Sequence, residues 1–189
     1  MNNWYLNLRK RLWIRFYKGF WSKSVTIVGK PDLNQPLLIK GEGCVTFDQR
    51  VSIGYPYSQG YLNTYAYFDL RGADSMIKIG EGVMLNNNTS LTADRASIYI
   101  GKNTVAGLNL SVQTSDGHCL NPARRHNENI PRYTVIIGEN VFIGDNVMIL
   151  KGAKIGKNSV IGAGSVVTGT IPENVLAAGN PCRVIRPLS

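Results

Sequence analysis

Acid–base chemistry near neutral pH draws first on histidine, and this 189-residue sequence holds two, His118 and His126. His118 closes the run Ser115, Asp116, Gly117, His118, in which an aspartate before glycine marks a turn. An imidazole fixed at such a turn can serve as a general base toward a hydroxyl, an effect typically worth about 10²–10⁴-fold in rate. The alternative is a solvated loop side chain. Asp116 likewise has two readings, orienting His118 or contacting an acceptor hydroxyl on one hand and forming the turn on the other. His126, between Arg125 and Asn127, reads as a loop surface residue. Cys44, Cys119 and Cys182 are odd in number and far apart, with no CxxC pair. They read as reduced thiols in the cytoplasm, and no metal site is inferred.

The elements that must hold these residues show in a repeat. From Ile137 the chain steps in sixes, as IGENVF, IGDNVM, ILKGAK, IGKNSV and IGAGSV. Ile137, Ile143, Ile149, Ile155, Ile161 and Val167 stand in strict register, and Val141, Val147, Ala153, Ser159 and Ser165 follow four positions behind. Neither the helical period of 3.6 nor the strand period of 2 gives this pattern. One short strand plus one corner per six residues does: the aliphatic residue points inward, glycine or a small polar residue makes the bend, and stacked coils create the core.

The same phase runs more faintly upstream, through Phe47, Ile53, Ile79, Leu85, Leu91, Ile100, Ala106 and Val112. It breaks between Ile53 and Ile79, slips by three before Ile100, and breaks again between Val112 and Ile137. Insertions in repeat proteins project from one face, often the binding face. The sequence therefore divides into an N-terminal helix over 1–24, a repeat body over 25–171 with inserted loops 54–78 and 113–136, and a tail over 172–189.

With the repeat, the Gly117-His118 loop and the tail from Ala177 through Asn180, Pro181 and Cys182 to Arg186, the chain resembles the hexapeptide-repeat acyltransferases, most closely the sugar O-acetyltransferases. The resemblance spans roughly residues 40 to 187. It implies a mainly β fold, a left-handed parallel β-helix, whereas the general rule for parallel crossovers would give the opposite hand. It implies a homotrimer with acetyl-CoA in the groove between neighbouring helices, and direct attack on the thioester with no cysteine intermediate at Cys119. His118 stands where the family keeps its catalytic histidine, with Arg125 seven residues on. Asn109 is similar to an acceptor-holding asparagine, although its local spacing differs by about one residue, and it could equally satisfy a coil corner. Gly144 and Asp145 mark the corner whose backbone N–H would meet the oxyanion. Ala163 and Thr168 would lie along the pantetheine arm, with Arg183 and Arg186 near the phosphates, a task that guanidinium groups suit. Gly169 stands where relatives often carry lysine. A γ-type carbonic anhydrase shares the β-helix but needs three zinc histidines, and this chain has two in all.

The net charge of +9 is uneven, because residues 1–23 hold Arg9, Lys10, Arg11, Arg15, Lys18 and Lys23 without one acid. The body is nearly balanced, which argues against a nucleic-acid binder. Trp4, Trp13 and Trp21 lie among those cations. As a helix, Tyr5, Leu8, Leu12, Phe16 and Phe20 fall on one side, and Lys10, Arg11, Arg15 and Lys18 roughly opposite. Either this segment contacts an anionic membrane surface, or it caps the open end of the β-helix. No stretch approaches the roughly 18 apolar residues of a membrane span, and the start lacks a signal-peptide core. The expected location is the cytoplasm, peripheral on the membrane's inner face if the segment binds lipid. Tyr55, Tyr57, Tyr61, Tyr65 and Tyr67 crowd the first insertion, where they could stack on a sugar, pack on another subunit or form irregular wall strands. The expected acceptor is a sugar hydroxyl of a cell-surface polysaccharide or its lipid-linked precursor. The alternatives are a free small sugar or xenobiotic, and a non-catalytic β-helix scaffold.

Overall fold

The structure, a computed structural model, describes residues 4–126 and 130–188. Each hexad places its aliphatic residue second in a two-residue strand: Phe142–Ile143, Met148–Ile149, Lys154–Ile155, Val160–Ile161 and Val166–Val167. The chain turns after every strand, so the fourth lies parallel on the first. Ile137 pairs with Ile155, Ile143 with Ile161 and Ile149 with Val167. Among the described residues three sheets result, of seven, eight and six strands. We call them A, B and C in the order in which the chain visits them. The architecture is the left-handed parallel β-helix that the resemblance implied.

Its core is three stacked columns. Ile79, Ile137 and Ile155 fill it from sheet A, Ile53, Ile143 and Ile161 from sheet B, and Leu91, Ile149 and Val167 from sheet C, each at most 2% exposed. Burying each of these side chains contributes roughly 1.5–3 kcal/mol, and no single coil could supply it alone. The corners impose a backbone demand. Asn88, Asn109, Asn140, Asn146, Asn158 and Asn174 take φ between 52 and 62°, a left-handed conformation that asparagine tolerates better than most residues. Their carboxamides ladder down the edges: Asn140 Nδ2 donates to Asn158 Oδ1 and Asn158 Nδ2 to Asn174 Oδ1, both at 3.0 Å.

Several boundaries differ from the sequence reading. The insertion expected over 54–78 leaves the wall only over 54–65. Ala66–Arg71 is a strand of sheet C and Met76–Ile79 a strand of sheet A. Ala66, Phe68 and Leu70 alternate inward and are fully buried, so a strand of period 2 replaces the hexad there and hides its phase. The second insertion is shorter than 113–136 as well, because Ser111–Gln113 and Val135–Ile137 are wall strands at its two ends. In the tail, Val175–Ala178 is one more strand of sheet B, and Arg183–Pro187 folds back on it antiparallel.

The N-terminal helix α1 runs Trp4–Lys18. Behind it, Trp21 Nε1 donates to Leu37 O at 2.7 Å, Ser22 N to Ile39 O at 3.0 Å, and Gly41 N to Ser22 Oγ at 3.0 Å. Leu37–Gly41 is the terminal strand of sheet C, so these contacts occupy an edge that would otherwise be open to pairing. Lys10 Nζ lies 3.4 Å from Asn34 Oδ1, which turns Lys10 toward the body and away from the expected basic face. Residues 1–3 and the side chain of Tyr5 lie outside the described residues.

Candidate active site

His118 rides on the excursion that leaves sheet C after Ser111–Gln113 and returns to sheet A at Val135. The stem of this loop is an antiparallel bridge between Ser115 and Arg132. Both residues converge on Asp94 in the coil beneath: Ser115 Oγ donates to Asp94 Oδ2 and Arg132 Nε to Asp94 Oδ1, each at 2.9 Å. Asp94 N in turn donates to Thr114 Oγ1 at 2.8 Å. Asp94 is 6% exposed and Ser115 5% exposed, so the clamp is shielded from water, where charge-assisted bonds are strong. Tyr133 N donates to Thr114 O at 2.9 Å, and Gly152 N donates to Tyr133 O at 3.3 Å, so the returning strand is tied to the coils on both sides.

Above this clamp the tip is open. Gly117 takes φ 74°, and Asp116 pairs with Lys151 of the next coil. Asp116 is thus held by a cation, and its described contacts do not include His118. The His118 side chain is exposed and makes no hydrogen bond or ion pair among the described residues. A short 3-10 helix, Pro122–Arg124, follows, with Asn121 capping it through a 3.0 Å bond from Ala123 N. Arg125 and His126 are exposed beyond it. Residues 127–129, including Asn127, lie outside the described residues. Thr168 is exposed on this same C–A edge, just after Val166–Val167.

The remaining candidates line a different edge, between sheets B and C. Asn109 belongs to a corner ladder, accepting from Asn88 Nδ2 at 2.9 Å and donating to Asn146 Oδ1 at 2.8 Å. That is the corner role left open for it, and the ladder uses both ends of its carboxamide. Gly144 and Asp145 form the corner one coil on. Gly144 N donates to Ile161 O at 2.8 Å, so in one chain this amide is engaged in the wall ladder. Asp145 Oδ1 accepts from Leu108 N at 2.8 Å, which turns its carboxylate into the corner. Ala163 is exposed directly on top of Gly144.

Two grooves border this edge. One of about 230 Å³ is lined by Gly54, Tyr55, Met84, Asn86 and Val105. The other, of about 160 Å³, lies between Gln59, Asn63 and Thr64 of the first insertion and Asn88 and Asn109 of the ladder. Arg183 and Arg186 are exposed on the folded-back strand, where each guanidinium donates to a main-chain carbonyl, of Cys182 at 2.9 Å and of Pro187 at 3.1 Å. Cys182 is buried, which pushes its thiol pKa up against the opposing effects of a Ser165 hydrogen bond and of Arg183. The tyrosines of the insertion pack mainly among themselves and on α1: Tyr17 and Tyr65 ring centres lie 5.0 Å apart and those of Tyr55 and Tyr57 5.6 Å.

One chain therefore splits the candidates. His118, Asp116, Arg125 and Thr168 belong to the C–A edge, Asn109, Gly144, Asp145 and Ala163 to the B–C edge, and the width of sheet C lies between. The sequence reading missed the clamp of Asp94, Ser115 and Arg132, and the Lys151 partner of Asp116. No local motif marks these residues, because Arg132 reaches Asp94 from 38 positions away.

A family model described as bacterial transferase hexapeptide (six repeats) matches residues 134–169. The chain is similar to the galactoside O-acetyltransferase of Escherichia coli, with 43% identity over 115 residues that cover 61% of this chain and 56% of that one. It spans 56–58% of the length of the curated relatives it matches. Among solved structures it is similar to a hexapeptide-repeat-containing acetyltransferase from Vibrio cholerae, with a TM-score of 0.59 and 30% identity over 72% of this chain and 70% of that one. The structure of that protein complexed with acetyl-coenzyme A gives a TM-score of 0.58 and 33% identity over 65% of each chain.

Proposed function

Because the chain belongs to the hexapeptide-repeat acetyltransferases, we propose that it transfers the acetyl group of acetyl-CoA to a hydroxyl of a saccharide, with His118 as general base. The observation that carries this reading is an exposed imidazole, without a hydrogen-bond partner among the described residues, on a loop whose two ends share one buried carboxylate. A base so placed keeps its acceptor lone pair for the substrate, while the clamp limits the entropy lost in positioning it. The imidazole takes the hydroxyl proton as the oxygen attacks the thioester carbonyl. It then returns that proton to the leaving sulfur as the tetrahedral intermediate collapses.

The corner of Gly144 and Asp145 is proposed to meet the oxyanion through a backbone N–H, since the aspartate carboxylate itself would repel negative charge. Asn109 and Arg125 are proposed for acceptor binding, Asp116 for holding the loop tip through Lys151, and Ala163, Thr168, Arg183 and Arg186 for the cofactor. Division of these residues over two edges supports a homotrimer in which the C–A edge of one copy meets the B–C edge of the next, a heterologous contact that closes into a ring. The apolar side chains exposed on the outer face of sheet B, Met84, Val105 and Phe142, are 38–52% exposed in one chain and suit such a covered surface. The acceptor proposed is a polysaccharide sugar or its lipid-linked precursor, acetylated in the cytoplasm.

Saccharide-dependent release of CoA, followed by its free thiol, tests the reading. His118→Ala is expected to lower it at least about 100-fold while CoA affinity is unchanged. A variant as active as the parent removes His118 from the chemistry.

A further inference from the structure

Among the described residues, the contacts of α1 with the β-helix run along one of its sides. Lys10, Ile14 and Tyr17 are half-buried and face the body, with Lys10 near Asn34 and Tyr17 against Tyr65. On the other side Trp4, Leu8, Leu12 and Phe16 succeed one another at four-residue spacing, and Phe20 continues the line beyond the helix end. They are 45–64% exposed, Leu8 least and Trp4 most. Residues four apart lie one above another on a helix, so these side chains form a single apolar stripe. Exposed Arg11, Arg15 and Lys18 border one flank of it. On the opposite flank stands Arg9, its guanidinium 4.9 Å from the Trp13 ring centre.

An apolar stripe with cations on both flanks has one complementary environment: acyl chains beneath a layer of anionic headgroups. The aliphatic stems of the flanking cations can follow the apolar surface while their charges stay at headgroup level. Each cation close to such a surface adds electrostatic attraction. A second copy of the chain is a poorer match. Two such helices would bring like charges together, and six acidic side chains of the body already pair with cations of their own chain. No helix among the described residues is long and apolar enough to cross a membrane. At fifteen residues, α1 measures about 22 Å, which suits a helix lying in the plane of the surface.

We propose that the Trp4–Phe20 stripe seats the protein on an anionic lipid surface, with α1 parallel to it and held to the β-helix through Lys10, Tyr17 and Trp21. The docking does not depend on the reaction proposed above. It places the 54–65 insertion beside the membrane, because Arg9 also reaches Leu62 O at 3.4 Å.

Cosedimentation of the full chain with vesicles tests this, comparing phosphatidylcholine alone with phosphatidylcholine containing phosphatidylglycerol. The parent is expected to bind the anionic vesicles at low salt and to release as salt rises. Leu12→Asp with Phe16→Asp is expected to weaken binding at least about tenfold, and Arg11→Gln with Arg15→Gln to weaken it while removing much of the salt dependence. Melting temperature and oligomeric mass should not change, since all four side chains are exposed. The proposal is overturned if the parent ignores phosphatidylglycerol or if the aspartate pair binds like the parent. A changed oligomeric mass in that pair would show that another copy covers the stripe, and would overturn it as well.

Discussion

Arg132 Nε lies 2.9 Å from Asp94 Oδ1, across 38 residues of sequence, and through this pair the loop that carries His118 is fastened where it returns to the wall. Ser115 fastens the departing end to the other oxygen of the same carboxylate. Asp94→Ala removes both anchors and takes this carboxylate away from Arg132, whose side chain is 17% exposed. Losing one member of a buried pair costs about 3 kcal/mol. The variant should melt lower and lose at least about tenfold in kcat, with little change in KM for acetyl-CoA. A drop in melting temperature with kcat intact would make Asp94 purely structural.

Asn109 separates a corner from a contact. Asn109→Ala breaks the ladder to Asn88 and Asn146 and forces alanine to φ 58°, at a combined cost of about 2 kcal/mol. Asn109→Gly loses the ladder but relieves the backbone, so it should be the more stable of the two in urea titrations. A role in holding the acceptor predicts that both variants raise the acceptor KM to a similar extent. If KM follows stability instead, the residue belongs to the corner alone.

Close stacking of coils makes a glycine contrast. A Cβ on Gly144 would sit 2.6 Å from Ala163 N, whereas one on Gly169 meets nothing within 4 Å. Gly144→Ala should cost about 1–3 kcal/mol, and Gly169→Ala should stay within about 0.5 kcal/mol of the parent. Chemical denaturation of both variants checks the spacing of the B–C edge. Equal stabilities would contradict it.

Much of the fold was legible because the hexads record geometry directly. One inward aliphatic residue per strand, from Ile137 to Val167, fixes both the coil length and the stacking register. Legibility failed where a different period took over, at Ala66–Arg71, whose alternating inward residues resemble no hexad. The candidate site was legible only where a local turn marks it, at Gly117-His118. Asp94, Ser115 and Arg132 meet through the register of stacked coils, which no local spacing reveals. The hydrogen bond from the Gly144 amide to Ile161 O likewise depends on the coil above. The helix was readable as amphipathic, but its rotation was not: Lys10 faces the body because Asn34 stands there.

The division of candidate residues between two edges leads to the most direct measurement. His118→Ala damages the C–A edge, and Ala163→Trp would block the B–C edge by bulk at an exposed position. Each variant alone should be inactive. If every site joins the C–A edge of one copy to the B–C edge of the next, equal amounts of the two, dissociated and reassembled together, form some sites with both edges intact. Random assembly gives about a quarter of the parental rate of acetyl transfer. A mixture as inactive as its components, while the parent carried through the same steps recovers fully, would contradict a site shared between copies.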